Sequence, residues 1–484
     1  MLRQKINTLK RRSYKLFNKL FIYLLVDILI YLRNFLQNFF NAGHVAPPEK
    51  QEKRLIIFRH DGIGDYVLFR NFLEVLKKSP RFSGYKITLL GNAAWKELAE
   101  FLDKDHIDEF IWLDKKRFAA DFLYRYKKFK EITSVKYEIL IHPFGREFFN
   151  ADNDLACLIN ADKKIGSIRL PRFTKPYKKK ILEKIYNELI PDVENVRFEF
   201  YKNKNFFEKL LSEKISIDKP FIKLPPHPAA ASVSAAVSAP APALSEEPGL
   251  KSKLGISSPY AAFFIGASVK HRKWPPEYFA ETARYLHTKY GFRIVLCGGK
   301  SELNDAAEFK KHFPADLADK APLTDAVGKI SLIELLYIVK DASLVISNET
   351  MAPHIAMALA NEGTINASKS NYFDKKLTGI TNQTASAPDA TYITSASPSA
   401  TGVQKSAIIV ISVGEDSFEH FSPYPKEITG NSNYATVFHP NIEKNLKEYI
   451  DITAAFGRGY DDRFDISEIA VKSVLDKIDE ILWR

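Results

Sequence analysis

Arg54-Leu55-Ile56-Ile57-Phe58-Arg59-His60-Asp61-Gly62-Ile63-Gly64-Asp65-Tyr66-Val67 passes from an apolar run through two glycines into a second apolar-periodic stretch. Arg54–Phe58 reads as a buried strand, and the spacing of Val67, Phe72, Val75 and Leu76 predicts the helix after it. Strand, glycine turn and helix together open an α/β unit. Gly62 and Gly64 allow the backbone to approach a ligand closely, and a helix start offers N–H groups to it. The third glycine of a dinucleotide fingerprint is absent. Asp65 has two readings here, a helix N-cap or a general base projecting into a cleft.

The same alternation continues on both sides. Ile87–Gly91, Phe110–Leu113 and Tyr137–Ile141 read as strands and Trp95–Leu102 as a helix, which predicts parallel βαβ units over a first lobe at 53–220. Residues 221–257 form a linker, dominated by Pro, Ala and Ser between 225 and 250. A second lobe at 258–484 opens on the strand Tyr260–Gly266. Helix 276–289, strand Phe292–Leu296, helices 302–312 and 331–340, strand Ser343–Ser347 and helix 353–360 follow. A low-complexity insertion at about 361–405 precedes the strand Ala407–Ser412, and an amphipathic helix over Ile466–Trp483 closes the chain. A chain of 484 residues is too long for one core. Two open α/β lobes imply an interlobe cleft, with ligands at the carboxyl ends of the strands.

Composition narrows the class. A hydrophobic fraction of 45% suffices for real cores. The two cysteines, Cys157 and Cys297, both lie in apolar stretches and read as buried structural thiols, which argues against a disulfide scaffold or a cysteine metal site. The net charge of +12 is concentrated at the start, where residues 1–50 hold nine Lys/Arg against two Asp/Glu. There Leu20–Leu32, with Asp27 in its middle, is too short to span a bilayer comfortably. The segment reads as an amphipathic helix lying on an anionic membrane through residues 1–45. A helix packed on the protein itself and a transmembrane anchor are the alternatives. No recognition motif accompanies the charge, so nucleic acid is not an expected partner.

Three further loops carry candidate chemistry in the second lobe. Lys270-His271-Arg272-Lys273-Trp274-Pro275 is a cationic cluster before a proline-started helix and suits a diphosphate; a solvated basic turn is the plain alternative. Trp274 is expected to pack under this loop. In Cys297-Gly298-Gly299-Lys300-Ser301-Glu302, Glu302 either accepts hydrogen bonds from a nucleoside or is an ordinary helix-start carboxylate. In Ser347-Asn348-Glu349-Thr350-Met351-Ala352-Pro353-His354, Glu349 and Thr350 suit sugar hydroxyls, whereas a lone His354 reads as structural.

In this order the four loops resemble those of glycosyltransferase family 9, the heptosyltransferase-like family. Gly62-Ile63-Gly64-Asp65 is similar to its (S/G)-I-G-D loop, Arg272–Pro275 to K-x-W-P, Gly298–Glu302 to G-G-x-x-E, and Glu349–His354 to D-T-G-x-x-H. The segment Tyr137–Gly166 is similar to the family's first lobe. The resemblance implies a GT-B fold of two Rossmann-like lobes, with the acceptor on the first and a nucleotide-sugar on the second. It further implies that Asp65 is the base of an inverting transfer, with His60, Asp61, Gly62 and Gly64 framing the acceptor side. Arg272, Lys273, Gly298, Gly299, Glu302, Glu349, Thr350, Met351 and His354 are the implied donor-binding residues. No metal and no cofactor beyond the nucleotide-sugar is expected. Arg272 stands where the family has Lys, Glu349 where it has Asp and Met351 where it has Gly, so the donor sugar is not fixed as heptose.

The expected function is transfer of a heptose or related sugar to a lipid-linked glycan such as lipopolysaccharide core, by a peripheral protein on the cytoplasmic face of the inner membrane. A non-catalytic sugar-nucleotide binder or glycan-assembly protein of the same fold is the alternative, favoured by the altered Glu349–Met351 motif. A nicotinamide-dependent oxidoreductase has only the alternating pattern behind it.

Overall fold

The computed structural model describes residues 28, 32, 52–143, 151–168, 176–225, 250–256, 259–313, 323–361, 407–412, 420–430, 433–444 and 464–482. The chain divides into two compact units, Met1–Val196 with Tyr201–Ser216, and Arg197–Phe200 with Ile217–Arg484.

The first unit is built on six parallel strands, β1 (Arg54–Arg59), β2 (Lys86–Asn92), β3 (Glu109–Leu113), β4 (Tyr137–His142), β5 (Ala161–Ile168) and β6 (Glu188–Pro191). Their order is β3-β2-β1-β4-β5-β6, so β1 lies in the centre. Leu55, Ile56, Ile57 and Phe58 are all fully buried, which is why this strand is an unbroken apolar run rather than an alternating one. The stretch after β1 forms two helices, Ile63–Phe69 and Asn71–Lys78, joined at Arg70. The Arg70 guanidinium turns inward to Asp103 Oδ1 (2.8 Å) and the Leu102 carbonyl (3.1 Å), and Tyr66 donates to Asp103 Oδ2 (2.5 Å).

The second unit repeats the plan. Its strands are β7 (Tyr260–Phe264), β8 (Arg293–Cys297), β9 (Leu323–Asp325), β10 (Leu344–Asn348), β11 (Ala407–Ser412) and β12 (Tyr434–Phe438), in the order β12-β11-β10-β7-β8-β9. All pair in parallel. The long helix Pro276–Tyr290 starts on a proline and stops at Gly291, whose φ of +68° suits glycine. The closing helix Val471–Leu482 lays Val474, Ile478 and Ile481 on the core that holds Trp274. Its Asp479 takes hydrogen bonds from Tyr285 (2.5 Å), Tyr290 (2.7 Å) and Lys289 (2.7 Å) of the long helix.

Several expectations shift in detail. The closing helix begins at Val471 and not Ile466, because Ile466–Glu468 forms a separate turn whose Ser467 N–H bonds the Asp465 carboxylate. Cys157 is exposed at the end of helix Ala151–Leu158, contrary to the reading of two buried thiols; Cys297 is buried, and burial pushes its thiol up to about 12. The second unit reaches back to Ile217, three residues before the expected end of the first lobe, and also takes in Arg197–Phe200. Ile222 N–H bonds the Ala358 carbonyl (3.0 Å) and Asn361 Nδ2 bonds that of Pro220 (3.0 Å), so this stretch is packed rather than free linker. The membrane segment at 1–50, the core of the linker at 225–250 and the insertion at 361–405 lie almost wholly outside the described residues. No described helix is long and apolar enough to cross a membrane.

Candidate active site

At the carboxyl end of β1 a fully buried arginine organises the loop. Arg59 donates from Nε to Asp61 Oδ2 (2.5 Å) and from Nη1 to Asn203 Oδ1 (2.8 Å), and its guanidinium lies 4.9 Å from the centre of the Phe69 ring. The Asp61 carbonyl accepts from Asn92 Nδ2 (2.8 Å) and Trp95 Nε1 (3.1 Å), so side chain and backbone are both held. Trp95 stacks on Tyr66 at 4.6 Å and lies so close over Gly91 that a Cβ there would come within 2.2 Å of its ring. His60 is buried with its ring 5.3 Å from Phe58. Four elements thus fix three residues of loop.

Asp65 stands just beyond, half-buried, in the first turn of helix Ile63–Phe69. It is not the N-cap. Gly62 occupies that position, and the Asp65 carboxylate reaches back to accept from the Gly62 N–H (3.2 Å). One oxygen is therefore oriented by the backbone while the group stays partly open to solvent. Asp61 is its buried counterpart. Burial is the strongest influence on Asp61; Arg59 opposes it, the neighbouring charge of Asp65 reinforces it, and its carboxyl is pushed up to about 7. Asp61 Oδ1 has no hydrogen-bond partner among the described residues.

In the second unit the predicted loops converge on one sheet edge. Asn348, the last residue of β10, donates from Nδ2 to the carbonyls of Ile265 (2.8 Å) and Gly266 (3.3 Å) and accepts from the Trp274 N–H (3.0 Å) at Oδ1. Trp274 is fully buried, as expected, with its indole N–H on the Ile469 carbonyl (2.8 Å). Gly266 lies against Glu302 so tightly that a Cβ would meet its Cγ at 2.2 Å. Glu302 itself accepts from the Gly299 N–H (2.7 Å) and the Ser301 hydroxyl (2.6 Å), the helix-start role. Lys273 is paired with Asp305 (2.6 Å). Glu349 is buried and takes the Ser412 hydroxyl (2.6 Å) from the end of β11, while Thr350 Oγ1 accepts from the Ala352 N–H (3.3 Å). His354 bonds Tyr424 (2.7 Å) in the interior and so takes the structural reading.

Residues 209–363 match the model of glycosyltransferase family 9 (heptosyltransferase). That segment is similar to glycosyltransferase family 9 and spans about a third of the chain. The matched segment holds the Arg272, Glu302 and Glu349 loops and begins after the Asp65 loop. Solved structures show the fold over the remainder. A family 9 glycosyl transferase from Veillonella parvula DSM 2008 has a TM-score of 0.55 at 18% identity, with 90% of this chain and 99% of that one covered. E. coli heptosyltransferase WaaC, solved with ADP, gives 0.51 at 13% identity, with 88% and 99% covered. E. coli ADP-heptose LPS heptosyltransferase II gives 0.51 at 12%, with 89% and 98% covered. No curated protein sequence matches the chain. The fold is thus GT-B.

Sequence reasoning passed over two residues of this site. Asn348 ties three loops together, and its place one residue before Glu349 at a strand end was its only signal. Ser347, beside it, is a buried hydroxyl without a partner among the described residues, invisible in a run of apolar neighbours. Among the described residues no group of three His, Cys, Asp or Glu side chains is placed to hold a metal ion.

Proposed function

We propose that this chain moves a sugar from a nucleotide-sugar to a membrane-linked glycan by direct, inverting displacement, with Asp65 as general base. The observation that carries the reading is the Asp65 carboxylate, oriented by the Gly62 N–H on a loop that Arg59, Asn92 and Trp95 immobilise. A base that is fixed but still partly open meets the geometric need for proton abstraction. In the step, Asp65 removes the proton of an acceptor hydroxyl as its oxygen attacks the anomeric carbon. The bond from that carbon to the diphosphate breaks, and the nucleoside diphosphate leaves with the electron pair.

The donor is assigned to the second unit. Arg272 and Lys273 offset diphosphate charge without a metal ion, with Lys273 held in place by Asp305. The backbone of Gly298 and Gly299, with Glu302, receives the nucleoside, and Glu349, Thr350 and Met351 line the sugar. His354 supports this wall through Tyr424. WaaC was solved with ADP and with ADP-2-deoxy-2-fluoro heptose, which makes an ADP-linked heptose the first donor to try. His60, Asp61, Gly62 and Gly64 frame the acceptor, a lipid-linked glycan such as lipopolysaccharide core at the cytoplasmic face of the inner membrane. No resident cofactor enters this scheme. Thermal-shift measurements against ADP-, GDP-, UDP- and CMP-sugars test the donor assignment. One nucleotide class should raise the melting temperature, and Arg272→Ala should abolish that rise; a flat response to all four contradicts the reading.

A further inference from the structure

The corner that follows β3 has no role in the scheme above. Helix Lys115–Ala120 begins just beyond the carboxyl end of β3, and helix Phe122–Thr133 follows at once. Residues 115–130 contain seven Lys/Arg and a single acidic residue, Asp121. Phe122 (40% exposed), Leu123 (67%) and Tyr126 (40%) share one face of the second helix, since positions three and four apart are neighbours. Together they form the main apolar group among the exposed large side chains of the described residues.

This corner is rigid. The Asp114 carboxylate caps the first helix at the Arg117 N–H (2.9 Å), and Asp121 caps the second at the Tyr124 N–H (3.0 Å). The Asp114 N–H also bonds the Tyr124 hydroxyl (2.9 Å). Inside, Arg125 lies over the rings of Phe118 (4.7 Å) and Phe129 (5.2 Å), which accounts for the one buried cation of the group. Lys116, Lys127 and Lys130 are exposed and make no ion pair among the described residues, and the exposed Lys115 also acts on the Asp61 carboxylate through its charge. Three apolar side chains held outward beside a cluster of exposed cations differ from the scattered apolar residues of an ordinary surface.

We infer that Phe122, Leu123 and Tyr126 insert into the headgroup–acyl boundary of an anionic lipid bilayer, with Lys115, Lys116 and Lys127 on its phosphates. Charge complementarity decides for lipid over a protein partner: three exposed apolar side chains are too few for a stable protein interface of ~800 Å² per partner, yet the corner matches the basic and aromatic composition of interfacial helices. The corner lies on the same carboxyl edge of the sheet as the loop of Asp65, with β2 between β3 and β1, and the charge of Lys115 reaches Asp61. A lipid-linked acceptor would reach the base along that edge. The inference rests on the membrane-linked acceptor of the proposed function and gives that acceptor a docking face.

The test uses the full chain with Cys157→Ser, which leaves only the buried Cys297. An environment-sensitive fluorophore is placed at Leu123→Cys and, as control, at Lys136→Cys at the opposite, amino end of β4. Vesicles containing phosphatidylglycerol should shift the emission at 123 to the blue and leave 136 unchanged; neutral phosphatidylcholine vesicles should move neither. Lys115→Gln with Lys116→Gln and Lys127→Gln should weaken the response about tenfold or more. The inference is overturned if the chain sediments with the vesicles while the probe at 123 stays silent, if neutral vesicles serve equally well, or if the probe responds to self-association without lipid. A response at 123 without sugar transfer to any lipid fraction would leave the docking face standing and remove the proposed reaction.

Discussion

Asp65→Ala should lower the rate of sugar transfer by about 100- to 10,000-fold, the range of a positioned general base. The donor should bind as before, because the residues assigned to it lie in the other unit. Stability should hardly change. The Asp65 carboxylate accepts one hydrogen bond among the described residues, from the Gly62 N–H at 3.2 Å, and losing such a contact at a helix start costs roughly 0.5–1 kcal/mol. Asp65→Asn is the sharper control, since the amide keeps shape and hydrogen bond but cannot accept a proton at neutral pH. Steady-state kinetics should show kcat falling with the donor KM little changed. A variant that retains wild-type kcat removes Asp65 from its role.

The second large effect concerns Arg59. Replacement by methionine preserves the apolar stem against Phe69 but strands Asp61 and leaves Asn203 Oδ1 without its donor. Breaking one side of a buried pair costs about 3–5 kcal/mol. The loss should grow with pH. In the folded chain the Asp61 carboxyl stands at about 7, above its ordinary value of 3.8, with burial as the main cause. A group raised in this way contributes stability that is complete below the unfolded value and is lost as pH rises through the folded one. The wild type therefore loses that contribution between about pH 4 and 7, and without Arg59 nothing opposes the burial penalty. Denaturant unfolding should show Arg59→Met more damaging at pH 8 than at pH 6, and Asp61→Asn in the same chain should recover much of the difference. Equal losses at both pH values would mean that Asp61 does not titrate in this range.

Much of this was legible in the sequence because the central strands are buried on both faces. Leu55–Phe58, Val295–Leu296, Leu344–Ile346 and Ala407–Ile411 are unbroken apolar runs for that reason. The strands that escaped notice lie at or near sheet edges. Glu188–Pro191 and Leu323–Asp325 are short edge strands, and Ala161–Ile168 starts with Asp162, Lys163 and Lys164 exposed or half-buried. Such segments carry little apolar signal. The sites divide in the same way. Glycines at strand ends mark the loops of Asp65 and Glu302, while the glycines that close approach requires, Gly266 under Glu302 and Gly91 under Trp95, lie outside those motifs. What the side chains do inside those loops depends on partners far along the chain. Arg59 finds Asn203 144 residues later, and Trp274 finds Ile469 after 195. No local pattern announces such contacts.

The stereochemistry of the product tests the central claim most directly. A base that activates the acceptor in a single displacement inverts the anomeric centre, whereas an Asp65 that attacked the sugar itself would retain it after two displacements. Once a donor is in hand, NMR of the anomeric proton in donor and product gives the answer. The account predicts opposite configurations in the two; the same configuration in both would contradict it.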